Sequence, residues 1–172
     1  FNRWVDTALD LQMSTEILDQ KQKQLYHRQA MKKVNRPGQW NNSLTDTLQG
    51  IMPWSLERPY LYTLRLVLYQ RGKKIDEYKI KFGFREAQFH KEKGFVLNGR
   101  PMLLKGVCMH HDLGALGAAF NKVAAKRQLN MLKEMGCNAI RFSHNPPAAA
   151  MLDLCDEMGF LVIDEAFDNW TK

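Results

Sequence analysis

Residues 138–164 read NAIRFSHNPPAAAMLDLCDEMGFLVID. The reading of this stretch decides the fold of the chain's second half. Asn138–Ser143 is a short apolar run of strand length. Residues 147–158 (PAAAMLDLCDEM) predict a helix, with Pro147 at its start and Gly159 after its end. Phe160–Asp164 (FLVID) is a second buried-strand run. Strand, helix and strand in this order argue for parallel strands joined by a crossover helix. The same grammar extends upstream. Residues 122–135 (KVAAKRQLNMLKEM) predict a helix with Val123, Leu129, Leu132 and Met135 on one stripe, stopped by Gly136. Before it, Leu103–Met109 is a near-continuous apolar run, broken by Lys105 and Gly106, that predicts the first of three parallel strands.

Further upstream the hydrophobic period changes to two. Asn98-Gly99, with apolar residues on both sides, is the strongest hairpin signal and suits a type I′ turn. Leu9, Leu11 and Met13 alternate with polar neighbours. So do Tyr62, Leu64, Leu66 and Leu68, and then Tyr78, Ile80, Phe82 and Phe84. Turn signals fall at Asp19–Gln24, at Asn35–Gly38 and at Arg71–Lys74. About five or six strands at this spacing suggest a β-sandwich, one or two strands short of a full immunoglobulin-like one. The expected architecture is therefore β, then α/β.

Composition narrows the function classes. The 172 residues are 45% hydrophobic and 25% charged, the balance of a globular chain and not of a disordered tail. No apolar run is long enough to span a membrane. The first 25 residues lack the basic start and apolar block of a secretion signal. Cys108, Cys137 and Cys155 lie in apolar contexts and predict buried free thiols, not a disulfide frame or a zinc site. The compartment stays open between cytoplasm and periplasm. The net charge of +7 is uneven: residues 1–105 hold 19 Lys+Arg against 10 Asp+Glu. In strand-like runs these basic residues alternate with apolar ones (Lys79, Lys81, Arg85), which is the pattern of a solvated sheet face. No nucleic-acid partner is expected.

Functional groups of parallel α/β units collect at the carboxyl ends of the strands. All three expected strands end in polar residues: His110-His111-Asp112, then Arg141 to Pro146, then Asp164-Glu165. Three such ends argue for one shared site. Each residue keeps two readings. His110 and His111 suit a metal, but without partner spacing that is weak. Arg141 is either a functional cation or a buried partner of Asp164 or Glu165. His144 is a site residue or stabilises its loop. Glu165 is a general acid or base, or it holds Arg141; the supporting role is favoured, because a catalytic carboxylate needs a second one nearby. Asp112 and Asp168 are candidates for that second group. Trp170 is core, or a flat platform for a sugar ring.

Two blocks carry a resemblance. VLNGRPMLLKGVCMHHDLGALG (96–117) and LNMLKEMGCNAIRFSHNPPAAAMLDLCDEMGFLVIDEAFDNW (129–170) closely resemble glycoside hydrolase family 2. This is the family of β-galactosidases, β-glucuronidases and β-mannosidases. Pro53-Trp54-Ser55, Pro59–Leu64 and Phe82-Gly83-Phe84-Arg85 look like closing strands of its immunoglobulin-like domain. The resemblance implies an immunoglobulin-like sandwich over residues 1–92 and the start of a TIM (β/α)8 barrel over residues 93–172. A full barrel needs about 250 residues, so a fragment cut inside both domains is expected.

The family implies a retaining mechanism with two glutamates about 5 Å apart. Neither can be placed here, since the chain has no Asn-Glu pair. The fragment alone is expected to be inactive, and its unpaired barrel edge is expected to promote self-association. What remains by resemblance is a substrate-binding set. His110 matches a histidine lining the sugar subsite. Arg141 and His144, beside Asn145, match residues that orient the sugar and the catalytic carboxylate. Asp164 and Glu165 match the acidic pair of the third strand. Phe167, Asp168 and Trp170 fit the Phe-Asp-x-Trp variant of some bacterial members. Asn169 and Lys172 stand where the β-galactosidase pattern has metal ligands, so no magnesium site of that type is expected; a divalent or sodium ion elsewhere in the full enzyme stays open. The implied activity is that of an exo-β-glycosidase acting on terminal β-linked sugars, with β-galactosidase first and β-glucuronidase or β-mannosidase as alternatives. A non-catalytic carbohydrate-binding or scaffold module is the competing class.

Overall fold

The computed structural model describes residues 9–34 and 43–167. The turn expected at Asn35–Gly38 and the site candidates Asp168 and Trp170 lie outside the described residues. The chain forms two compact units: Phe1–Ile51 with Leu61–Phe82, and Met52–Tyr60 with Gly83–Lys172.

The first unit is one antiparallel sheet. Its strands are β1 (Leu9–Leu18), β2 (Gln24–Val34), β3 (Tyr62–Gln70) and β4 (Lys73–Phe82), in the order β2-β1-β3-β4. Asp19 makes the first turn by accepting the amides of Lys21 and Lys23 on one carboxylate oxygen, both at 2.8 Å. Arg71 and Gly72 make the second with positive φ at both positions (50° and 75°), the pairing of a type I′ turn. Leu64, Leu66 and Leu68 share a face, as the alternation implies, but they are only half-buried. The described residues of this unit form this one sheet. The deepest aliphatic residue is Val67, on the opposite face and in register with buried Ser14.

That opposite face carries a line of charge across three strands. Arg65 on β3 donates to Glu16 on β1 (3.0 Å) and to Glu77 on β4 (2.7 Å). Lys74 and Lys79 also reach Glu77, at 2.9 and 3.2 Å. Hydrogen bonds from Lys74, Arg65 and Lys79 hold the Glu77 carboxyl down to about 2. A carboxylate depressed on folding stabilises the fold above its unfolded pKa, and the gain is lost as pH falls through the folded value. The urea midpoint is therefore expected to fall between pH 4.5 and about 2, and Glu77→Gln should flatten that segment of the profile. An unchanged slope in the variant would assign the acid sensitivity to other groups.

The second unit opens with a small antiparallel sheet: β5 (Ala87–His90), β6 (Gly94–Leu97) and β7 (Arg100–Pro101). Asn98 and Gly99 turn it with φ of 49° and 77°, as their sequence implies. The βαβαβ core follows: β8 (Gly106–Met109), α1 (Lys122–Glu134), β9 (Ala139–Phe142), α2 (Ala149–Met158) and β10 (Leu161–Asp164). The three strands are parallel, in the order β8-β9-β10. The core lies between sheet and helices, on Leu129, Ile140, Phe142, Met151, Leu154, Cys155 and Phe160. Among the described residues no helix is long and apolar enough to cross a membrane.

Local details correct the sequence reading. β8 starts at Gly106, not Leu103, because the Asn138 side chain occupies the backbone there: it accepts from Lys105 N–H (2.8 Å) and donates to the Leu103 carbonyl (3.0 Å). A Cβ at Gly106 would stand 2.6 Å from the Ala139 carbonyl, so only glycine allows this strand pairing. Val123 on α1 and Met135 at its C-terminal cap are 80% and 73% exposed, and the inward stripe runs instead through Ala125, Leu129 and half-buried Leu132. At 100° per residue, Val123 lies some 200° round from Ala125. Asn121 caps this helix by accepting the amides of Val123 and Ala124. Pro147 precedes the α2 cap residue, Ala148, and is not inside the first turn. Cys155 is buried and Cys137 half-buried, but Cys108 is exposed, because it sits on the face of β8 turned away from the helices.

The segment Met52–Tyr60 and residues 83–86 form no strand. They strap the second unit. Trp54 is 1% exposed. Its indole N–H donates to the Asp156 carbonyl at the end of α2 (2.9 Å), its amide to the Phe84 carbonyl, and its carbonyl accepts from Asn98 Nδ2. The Arg85 guanidinium stands 4.9 Å over its ring. Gly159, which ends α2 at φ 74°, lets the Leu56 carbonyl lie where a Cβ would be.

Candidate functional site

The register of the parallel strands sets the site. Cys108 of β8, Arg141 of β9 and Ile163 of β10 are in line, on the face away from α1 and α2. Two residues on, the chain leaves the strands at His110, Ser143 and Glu165. The peptide between Ser143 and His144 is cis. Glu165 joins the ends: one carboxylate oxygen pairs with Arg141 Nη2, and the other lies 3.1 Å from His144 Nδ1. The His110 ring meets the His144 ring edge-on, with centroids 5.7 Å apart. Arg141 also donates through Nη1 to Cys108 Sγ at 3.4 Å.

Four candidates from the sequence are thus brought together: His110, Arg141, His144 and Glu165. Arg141 is the ion-pair partner of Glu165, not of Asp164. Asp164 pairs in register with Phe142, on the helix-side parity, and Asn145 is exposed beyond β9. Neither has a hydrogen bond or ion pair to the cluster among the described residues. Asp112 is spent locally, accepting the Gly114 amide at 2.7 Å. Cys108 and Ser143 were not singled out as site residues. The parity of β8 against Arg141 is the signal that finds Cys108.

The Arg141 and Glu165 side chains are 42% and 23% exposed, so their pairing adds little stability and its value is geometric. It fixes a planar guanidinium and a carboxylate in one orientation, with His144 steered by the second oxygen. Hydrogen bonding to Cys108, followed by Glu165, raises the Arg141 pKa further above its ordinary value, so the group stays cationic. A cavity of about 50 Å³ beside His110 and His111, lined by Met109, Gln128, Phe142 and Met151, is too small for a sugar ring. Among the described residues no group of three or more His, Cys, Asp or Glu is placed to hold a metal ion.

The comparisons with known proteins place both halves of the chain in one family. Residues 2–85 match the family described as glycosyl hydrolases family 2, and residues 89–169 match its TIM barrel domain. The chain belongs to glycoside hydrolase family 2. In this family the parallel unit is the start of the TIM barrel, preceded by an N-terminal β-domain. The β-galactosidase BoGH2A of Bacteroides ovatus is 56% identical over 119 residues, which are 69% of this chain and 14% of that protein. A family 2 member from Bacteroides cellulosilyticus superposes with a TM-score of 0.85 at 39% identity, over 96% of this chain and 21% of that one. A Bacteroides uniformis β-glucuronidase superposes with a TM-score of 0.82 at 29% identity, over 94% and 20%. The family 2 chain described here therefore spans about one seventh to one fifth of these relatives.

Proposed function

We propose that the complete protein carrying this chain is a retaining exo-β-glycosidase that releases terminal β-linked sugars, with β-galactosides as substrates. The observation that carries this reading is the Arg141–Glu165–His144 cluster beside His110 at three successive strand ends. In this reading the chain supplies sugar-gripping groups: His110, Arg141, His144, Asn145, Asp164, Glu165, Asp168 and Trp170. The acid/base and nucleophile glutamates lie on later barrel strands, so residues 1–172 alone do not hydrolyse glycosides. The domain division at 92/93 belongs to the same proposal. Groups fixed at rigid strand ends let binding energy go into distortion of the sugar toward its oxocarbenium-like transition state.

The likeness to a β-glucuronidase favours a second reading, a uronide substrate. The 56% identity to a β-galactosidase supports the neutral sugar. The test is kcat/KM of the complete protein on p-nitrophenyl β-galactoside, β-glucuronide and β-mannoside. A preference of about 100-fold or more for the galactoside is expected. Faster turnover of the glucuronide would transfer the assignment to that sugar, and no turnover of any would sink the glycosidase reading.

A further inference from the structure

We propose that Gln128 is a positioning residue for the sugar site: through a water held on the helix side of the sheet, it fixes the turn that carries His110. The starting observation is a polar side chain in an apolar stripe. Ala125, Gln128, Leu129 and Leu132 follow the i, i+3, i+4, i+7 spacing of one helix face. Ala125 and Leu129 are buried in the core, and Leu132 packs against it. The polar member of that stripe is Gln128, and its Oε1 is buried with no hydrogen-bond partner among the described residues. Leaving such an oxygen unpaired is costly, and an apolar residue would fill the same place without that cost.

The cavity supplies the second observation. Gln128 of α1 lines the space of about 50 Å³ together with His110, His111 and Asp112 of the turn after β8. A water needs roughly 10–15 Å³ of such space and two to four polar partners. All the lining residues fall within 109–151, so β8, β9, α1 and α2 of this chain surround it. The sheet contributes Met109 and Phe142, which pair in register on the parity opposite to Cys108 and Arg141. The hydrogen bonds of the turn are local. The Asp112 amide donates to the His110 carbonyl at 2.8 Å, the Gly114 amide to the Asp112 carboxylate at 2.7 Å, and the Leu113 amide to the Gly117 carbonyl at 2.9 Å. They shape the turn without tying it to α1. A water between Gln128 and the turn makes that tie. Its effect reaches the site because the His110 ring meets the His144 ring edge-on, with centroids 5.7 Å apart.

The kinetic part of this inference rests on the glycosidase reading, and a structural readout keeps the two apart. The test uses the complete protein with Gln128→Leu, Gln128→Glu, His110→Ala, and Gln128→Leu combined with His110→Ala. A high-resolution crystal structure of the wild type is expected to show a water within hydrogen-bond distance of both the Gln128 amide and the His110–Asp112 turn. Gln128→Leu should lose that water and displace the His110 ring. On the preferred p-nitrophenyl glycoside it should lower kcat/KM about tenfold. Its urea midpoint should stay near the wild-type value, because leucine has similar size and needs no hydrogen-bond partner. Gln128→Glu keeps an acceptor there and should stay within about threefold of wild type. Added to His110→Ala, Gln128→Leu should cost no further activity, since it acts through that ring. The inference is overturned if the cavity holds no such water, or if Gln128→Leu loses less than about twofold in kcat/KM. It is equally overturned if activity and urea midpoint fall together, or if the losses add in the double variant. Should the wild type turn over no glycoside, the reaction reading fails and the crystal structures decide this inference: an unmoved His110 ring in Gln128→Leu overturns it.

Discussion

In the complete protein, Arg141→Ala is expected to lower kcat/KM on the preferred glycoside by about 100-fold or more, with the fold intact. The size follows from what Arg141 touches. Its guanidinium fixes Glu165, and Glu165 in turn holds the Nδ1 side of His144 at 3.1 Å. Removing the cation frees the carboxylate and loses the aim of the imidazole, and misplacement of about 1 Å costs about that much in rate. His144→Ala should act in the same range. Because the three residues work as a unit, Arg141→Ala with Glu165→Gln should cost little more than either change alone. Additive losses in that double variant would show that the residues act separately. Unchanged kcat/KM in both single variants would remove the cluster from the site altogether.

The second large effect is on stability. Trp54→Ala should lower the unfolding free energy of the chain by about 3–5 kcal/mol. Trp54 is among the largest fully buried side chains of the described residues, and its removal leaves a cavity against Gly83. It also strands the Asp156 carbonyl that accepts its indole N–H at 2.9 Å. Trp54→Phe keeps most of the packing and loses the hydrogen bond, so it should cost about 1 kcal/mol for that bond. Urea unfolding of the three proteins separates the contributions. A loss below about 1 kcal/mol for the alanine variant would mean that the strap does not anchor the second unit.

The legible parts of this chain were those set by local chemistry. Asn98-Gly99 requires positive φ, and Gly136 and Gly159 end helices for the same reason, so turns and helix ends could be read from the sequence. The order of strands and helices followed from their apolar runs. Errors arose where tertiary partners decide. Whether Val123 or Ala125 faces inward depends on how Asn121 and the sheet set the rotation of α1. The side chain of Asn138 displaced a strand that the apolar run Leu103-Leu104 suggested. In the site, the clustering of His110, Arg141, His144 and Glu165 was legible because polar residues end three adjacent strands. The separation of Glu165 from Asp164 was not, since both are acidic neighbours and only strand parity parts them. Cys108 looked like a core thiol among apolar neighbours, because composition does not reveal which face of a strand is covered.

The strap also has a consequence in time. Trp54 and its acceptor Asp156 are 102 positions apart. A ribosome adds roughly 5–20 residues per second, so the indole emerges some 5–20 s before the α2 carbonyl it will bind. During synthesis this aromatic segment waits without its mate, while the strand that follows it, β3, pairs back to β1. The nascent chain therefore completes its two units in an interleaved order, and chaperone capture of residues 52–60 in that interval would be the first place for folding to stall.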